Sequence, residues 1–178
     1  MEFDLVFWFA QAIGVVALGF SVAAYQSKNR EKLLGRQMAG AFVYMAHFSL
    51  LSAWTGVAMN ALVAVRNWVF SKRDTHAWAA DDRWMWFFMA LAAVSLYFTW
   101  QGYISLLPFL GILTGIYSRW KGDAAMIRFF TIVECLLWIP YNVVVQSYAG
   151  IIVDLVIIGA ALWGMWKHDR KPPVASPI

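Results

Sequence analysis

Glu134-Cys135-Leu136-Leu137-Trp138-Ile139-Pro140-Tyr141-Asn142 is the stretch on which the reading of this chain turns, with Asp154 following beyond a short turn. Glu134, Trp138, Tyr141 and Asn142 recur at i, i+4, i+7 and i+8, which places them on one face of a helix. The residues between and around them are apolar. Lipid does not stabilise a face that carries a carboxylate, a phenol and an amide, so the pattern predicts that this face looks into the protein.

Composition says what surrounds it. Of 178 residues, 62% are hydrophobic and 13% charged, and the mean hydropathy is +0.61. A soluble domain of this length cannot hide that much apolar surface, so the chain reads as an integral membrane protein. Eleven Trp among 17% aromatic residues fit side chains gathered at membrane interfaces. Met1-Glu2-Phe3-Asp4 is acidic where a signal peptide is basic, so the first apolar segment is expected to be retained as a span. Cys135 stands alone, which excludes an internal disulfide. The net charge of +4 fits basic loops beside anionic lipid, and no nucleic-acid surface is expected.

Seven apolar segments approach the length of about 20 residues that a span needs: Leu5–Tyr25, Leu34–Ala53, Gly56–Phe70, Trp84–Trp100, Ile104–Trp120, Ala124–Val145 and Ala149–Trp166. The turns at Trp54-Thr55-Gly56 and Tyr148-Ala149-Gly150 are tight, and the alternative at each is one long kinked helix. With seven spans, all fourteen Lys and Arg fall on or toward one side, including Lys28, Lys72, Arg83, Lys121 and Arg170. The positive-inside rule makes that side cytoplasmic and puts the N-terminus outside. Thr75 to Asp82 reads as a polar linker whose Asp81 and Asp82 start helix four, and 171–178 as a disordered cytoplasmic tail.

The chain also repeats itself. An offset of 94 lays Tyr44 on Trp138, His47 on Tyr141, Gly56 on Gly150 and Asn60 on Asp154. Helices one to three match helices five to seven, and the unpaired fourth lets both copies face the same way, a parallel repeat. The expected units are a three-helix bundle at 1–74, a linker helix at 75–102 and a second bundle at 103–170.

These residues resemble a known group. The 3+1+3 layout is similar to the SWEET sugar facilitators and their PQ-loop relatives, in which a Trp of the second helix and an Asn of the third line the pocket. Trp138 precedes Asp154 by sixteen residues, as Tyr44 precedes Asn60. A closer resemblance, over nearly the whole chain, is to the YgjV-type bacterial inner-membrane protein family. It is carried by Ala46-His47-Phe48-Ser49-Leu50-Leu51, Met59-Asn60-Ala61 with Arg66, and Leu106-Leu107-Pro108-Phe109-Leu110-Gly111. The resemblance implies a SWEET-like fold in the inner membrane and suggests transport. SWEET-type repeats carry prolines in both halves; here Pro108 and Pro140 stand in the second half, with Gln11 and Ala46 near the matching places.

The expected site follows. Tyr44, His47, Asn60, Glu134, Trp138, Tyr141, Asn142 and Asp154 are the candidate solute-binding residues, with Pro108, Pro140 and Arg66 as candidate gating residues. An ionisable group inside a span is by default functional, with a partner to name. Glu134 is expected to pair with His47, Arg66 or Arg128, or to stay neutral. The competing readings are structural: Asp154 as an interfacial helix-start residue, His47 as a satisfied hydrogen-bonder, Arg66 as a snorkelling cation, Asn60 and Asn67 as helix glue. Gly14, Gly19, Gly111 and Gly115 read as close-packing positions, and Trp84, Trp86, Trp100, Trp120, Trp163 and Trp166 as interface anchors. His47, His76 and His168 share no metal spacing, and no phosphate loop or nucleophile elbow is present, so neither an enzyme nor a cofactor is expected. The leading expectation is a small-solute transporter or facilitator that alternates access around a midplane cavity. The alternative is a non-transporting receptor or assembly factor that uses the same cavity for a ligand or partner helix. Partners are a solute, lipid and, as an open option, a second copy of the chain.

Overall fold

Backbone groups in a bilayer must be satisfied within their own segment, and apolar runs meet this by coiling into helices. The computed structural model describes residues 5–25, 30–121 and 124–168. Among these, seven α-helices and two short 3₁₀ turns make up the regular structure, with no strand. They are α1 (Leu5–Tyr25), α2 (Arg30–Leu50), α3 (Trp54–Ser71), α4 (Arg83–Phe98), α5 (Leu106–Lys121), α6 (Ala124–Val144) and α7 (Tyr148–His168). Each falls on one of the seven expected segments, with shifts of a few residues at the ends. The expectations for residues 1–4, Lys28, Arg170 and the tail lie outside the described residues.

A true turn occurs at both places, and the kinked-helix alternative fails. The turns lie at 51–53 and 145–147, just before the residues expected, and Trp54-Thr55-Gly56 and Tyr148-Ala149-Gly150 open α3 and α7. Ser52 and Gln146 adopt left-handed backbone, with φ of 54° and 57°. Behind them the Ala53 amide donates to the Phe48 carbonyl at 2.9 Å, and the Ser147 amide to the Asn142 carbonyl at 2.8 Å. A left-handed residue followed by this wide bond is the Schellman way of ending a helix, and a helix so ended cannot run on. The two turns share their hydrogen-bond pattern at the offset of 94 seen in the sequence.

Ion pairs and hydrogen bonds fix which helix ends meet. At one end Lys72, after α3, bridges Glu31 of α2 at 2.8 Å, and Lys121 of α5 bridges Asp82, before α4, at 2.5 Å. Arg73 donates to the Trp120 carbonyl at 2.6 Å and stacks over its ring. At the other end Thr55 donates to the Thr99 carbonyl at 2.6 Å, and Gln11 bonds the Gln146 carbonyl and the Ala149 amide. Helices adjacent in sequence therefore run antiparallel. α2 packs between α1 and α3, α6 between α5 and α7, while α1 touches α7 and α3 touches α5. The six close into a ring. α4 lies outside, its Met85, Phe88 and Ala92 buried against α3 and α5.

Small residues set the close approaches. A Cβ on Gly14 would stand 2.5 Å from the Cβ of Ala149, and one on Gly111 3.0 Å from the Trp138 ring. Gly19 meets nothing within 4 Å, so the packing expected of it is absent. Trp86, Trp100, Trp163 and Trp166 face outward. Trp120 does not: it is buried, and its indole N–H donates to Asp82 at 2.7 Å, because the α3–α4 connection folds over it. Asp82 is thereby occupied, and Asp81 is the residue that accepts the Arg83 amide at the start of α4.

The exterior is apolar, and polar side chains are buried among the apolar residues of the interior. Val15, Phe42, Val65, Leu136, Val143, Ile152 and Leu155 are exposed on the outside, while His47, Asn60, Arg66, Asn67 and Asn142 are buried within. Three helices, Leu5–Ala24, Ala125–Val144 and Tyr148–Trp166, are long and apolar enough to cross a membrane. α2 and α3 carry Gln37, His47, Asn60, Arg66 and Asn67, and such inward-facing polar side chains lower a helix's average hydropathy.

Candidate functional site

The ring encloses a cavity of about 140 Å³, walled by α1, α2, α3, α5, α6 and α7 and by nothing from α4. Fourteen of its twenty lining residues form seven pairs 94 apart: Gln37 with Thr131, Gly40 with Glu134, Ala41 with Cys135, Tyr44 with Trp138, Phe48 with Asn142, Asn60 with Asp154, and Val63 with Ile157. Tyr44 and Trp138 stand six residues before the ends of α2 and α6, and Asn60 and Asp154 six residues into α3 and α7. These four therefore share one level, about 9 Å below the helix ends at 1.5 Å per residue. This is nearly two turns deep, further in than an interfacial helix-start residue would lie.

Six of the eight candidate binding residues thus meet on one cavity. Tyr44, Phe48 and Trp138 form a continuous aromatic wall, with 5.9 Å between the centroids of each successive pair. Asp154 accepts from the Asn142 amide at 2.9 Å. Asn60 is turned onto its own helix, donating to the Gly56 carbonyl at 2.9 Å. Glu134 is paired, though with none of the expected partners: Arg119 of α5 donates to it at 2.9 Å, both side chains nearly buried. Gly115 makes the room, since a Cβ there would stand 2.7 Å from a Glu134 oxygen. The sequence offered Arg119 only as one of the cations gathered toward the basic side, at the end of the fifth segment. Its signal was the i, i+4 spacing from Gly115, which puts a long cation back over a gap in its own helix.

Arg66 does not snorkel. It is 1% exposed, donates twice to the Asn67 side chain at 3.1 and 3.2 Å, and lines the cavity, as do Arg119 and Gln37.

His47 and Tyr141 lie off the cavity wall and hold the turns at the uncharged end. The Ala10 carbonyl accepts from His47 Nδ1 at 2.7 Å, and His47 Nε2 meets the Ser147 hydroxyl at 2.7 Å. The Tyr141 hydroxyl accepts from the Gly56 amide at 2.8 Å and donates to the Ala53 carbonyl at 3.5 Å. His47 and Tyr141 are 94 apart, and so are Ala53 and Ser147. α2 therefore reaches to the turn before α7, and α6 to the turn and first residues of α3. Pro108 sits in the first turn of α5, where a missing N–H costs no helical bond. Pro140 is inside α6 and removes one.

No group of three metal-ligating side chains occurs among the described residues. A polar, charged cavity inside a helical bundle with an apolar exterior defines a multi-helix membrane protein. More narrowly, the chain belongs to the Imp-YgjV family of bacterial inner membrane proteins, whose model matches residues 8–172. No curated protein and no solved structure matches the chain.

Proposed function

We infer that this chain is a small-solute transporter or facilitator of the bacterial inner membrane, built as two parallel three-helix repeats around one cavity. The observation that carries the reading is the lining itself. Positions 94 apart line one cavity within a ring of six helices, which is what a binding site between two repeats requires. On this reading all seven helices span, residues 1–74 and 103–170 are the repeats, and 75–102 is the connector. The basic end is cytoplasmic and the N-terminus external.

The two reciprocal latches support alternating access. His47 to Ser147 and Tyr141 to Gly56 tie the halves together at the external end. Toward the basic end the lining continues to Ser21, Gln37, Arg66 and Arg119. On this reading the conformation is one closed outside and reached from within. Parting the latches while the halves close over Arg66 and Arg119 exposes the same residues to the other side. Pro140, with one helical hydrogen bond missing, gives α6 a place to bend.

Reconstituted liposomes test this. Uptake above empty vesicles is expected for at least one class among amines, amino acids, sugars and organic acids, falling at least tenfold in Trp138→Ala and Asp154→Asn. Flux equal to empty vesicles for every class removes the transport reading.

A further inference from the structure

The geometry points to a small primary ammonium as the solute recognised in the outer half of this cavity, an assignment that rests on the cavity being a solute site. The argument is one of donors and acceptors. Asp154 is met by the Asn142 amide nitrogen, and no Lys or Arg lies within ion-pair distance of it among the described residues. Asn142 is 2% exposed; its nitrogen is committed to Asp154, and its Oδ1 meets no hydrogen-bond partner among the described residues. The buried hydroxyl of Tyr44 meets none either. All three side chains line the cavity. The lining around Asp154 therefore holds a carboxylate, an amide oxygen and a phenol oxygen with no basic side chain in ion-pair contact, while Arg66 and Arg119 line the same cavity toward its basic end.

An alkylammonium has three N–H donors, one positive charge and no acceptor, the complement of that set. A polyol brings as many acceptors as donors and leaves the Asp154 carboxylate uncompensated in a low-dielectric interior, and a carboxylate or phosphate placed beside Asp154 is repelled by it. Deeper in, Glu134 is already neutralised by Arg119, so Asp154 is the carboxylate left for a ligand's cation. A bare metal ion is a poor fit, because the aromatic wall of Tyr44, Phe48 and Trp138 offers faces to a weakly hydrated organic cation instead of a shell of oxygens. Size narrows the class. A dry cavity of about 150 Å³ holds one benzene, so a cavity of about 140 Å³ takes an amine with a body of that size.

Purified full-length protein in detergent, titrated with benzylamine, benzyl alcohol, benzoate and sodium chloride at constant ionic strength, tests the assignment by calorimetry and thermal shift. Benzylammonium is expected to bind at least tenfold more tightly than benzyl alcohol, with no effect from benzoate or sodium. Asp154→Asn is expected to abolish that preference, and Tyr44→Phe, which deletes one hydroxyl, to weaken benzylammonium severalfold. Equal binding of amine and alcohol, a sodium shift as large as the amine's, or unchanged amine affinity in both variants overturns it. Amine binding without flux upholds the ammonium assignment and removes transport. Flux of a neutral solute without amine binding does the reverse.

Discussion

Glu134 is the residue at which the two halves differ most, since its counterpart at the offset of 94 is Gly40. The sequence showed that a carboxylate there needed a partner, and it offered His47, Arg66 and Arg128. The partner is Arg119, which reaches back over Gly115 from the last turn of α5. A positive charge near a helix end reads as a loop residue in sequence, because the direction of a long side chain is not encoded in its spacing. Asp154, Trp138 and Asn142 were legible, since a polar face on an apolar helix has nowhere else to point. His47 and Tyr141 share that face in projection, but they sit about a turn nearer the helix end than Tyr44 and Trp138, where turns rather than solute meet them. Breaking the Arg119–Glu134 pair from one side is expected to cost about 3 kcal/mol, because it leaves a nearly buried charge uncompensated. Arg119→Gln should therefore unfold at markedly lower denaturant, while Arg119→Gln with Glu134→Gln recovers most of the loss. Additive effects of the two substitutions show that the pair is not coupled.

Helices were the most readable elements, because about 20 apolar residues between basic or glycine-containing breaks leave few other structures. Their ends were less so: Schellman turns closed by Ser52 and Gln146 carry no glycine at the left-handed position, the usual mark of such an ending. The α3–α4 connection was read as a plain polar linker, yet it is a clasp in which Asp82 holds both Lys121 and the Trp120 indole. Those hydrogen bonds keep the Asp82 carboxyl below its ordinary value, Lys121 contributing most, and Lys72 does the same for Glu31. With the folded value lowered, the stabilising contribution is complete above the unfolded value of about 3.9 to 4.3 and is lost as pH falls through the folded one. Melting temperature in detergent is thus expected to be flat above about pH 5 and to fall below about pH 4. Asp82→Asn should lower it slightly at pH 7 and make the acid decline shallower. An acid decline as steep in Asp82→Asn as in the native protein contradicts the clasp.

For the whole molecule, the offset of 94 was visible in a few residues, and it recurs in the cavity lining, in both turns and in both latches. What the sequence did not reveal was the ring, in which each half touches the other at α1–α7 and α3–α5. Contacts between distant helices depend on small residues such as Gly14 against Ala149, and one sequence does not say which partner a glycine faces. The central claim is that one cavity is reached from the two sides in turn, and Cys135, the chain's single cysteine, lines that cavity. The most direct measurement is the labelling rate of Cys135 by a membrane-impermeant thiol reagent in right-side-out and inside-out vesicles. The account predicts faster labelling from the cytoplasmic face, and at least a tenfold rise from the external face when Tyr141→Phe and His47→Ala release the latches. External labelling that stays at background in both latch variants contradicts it.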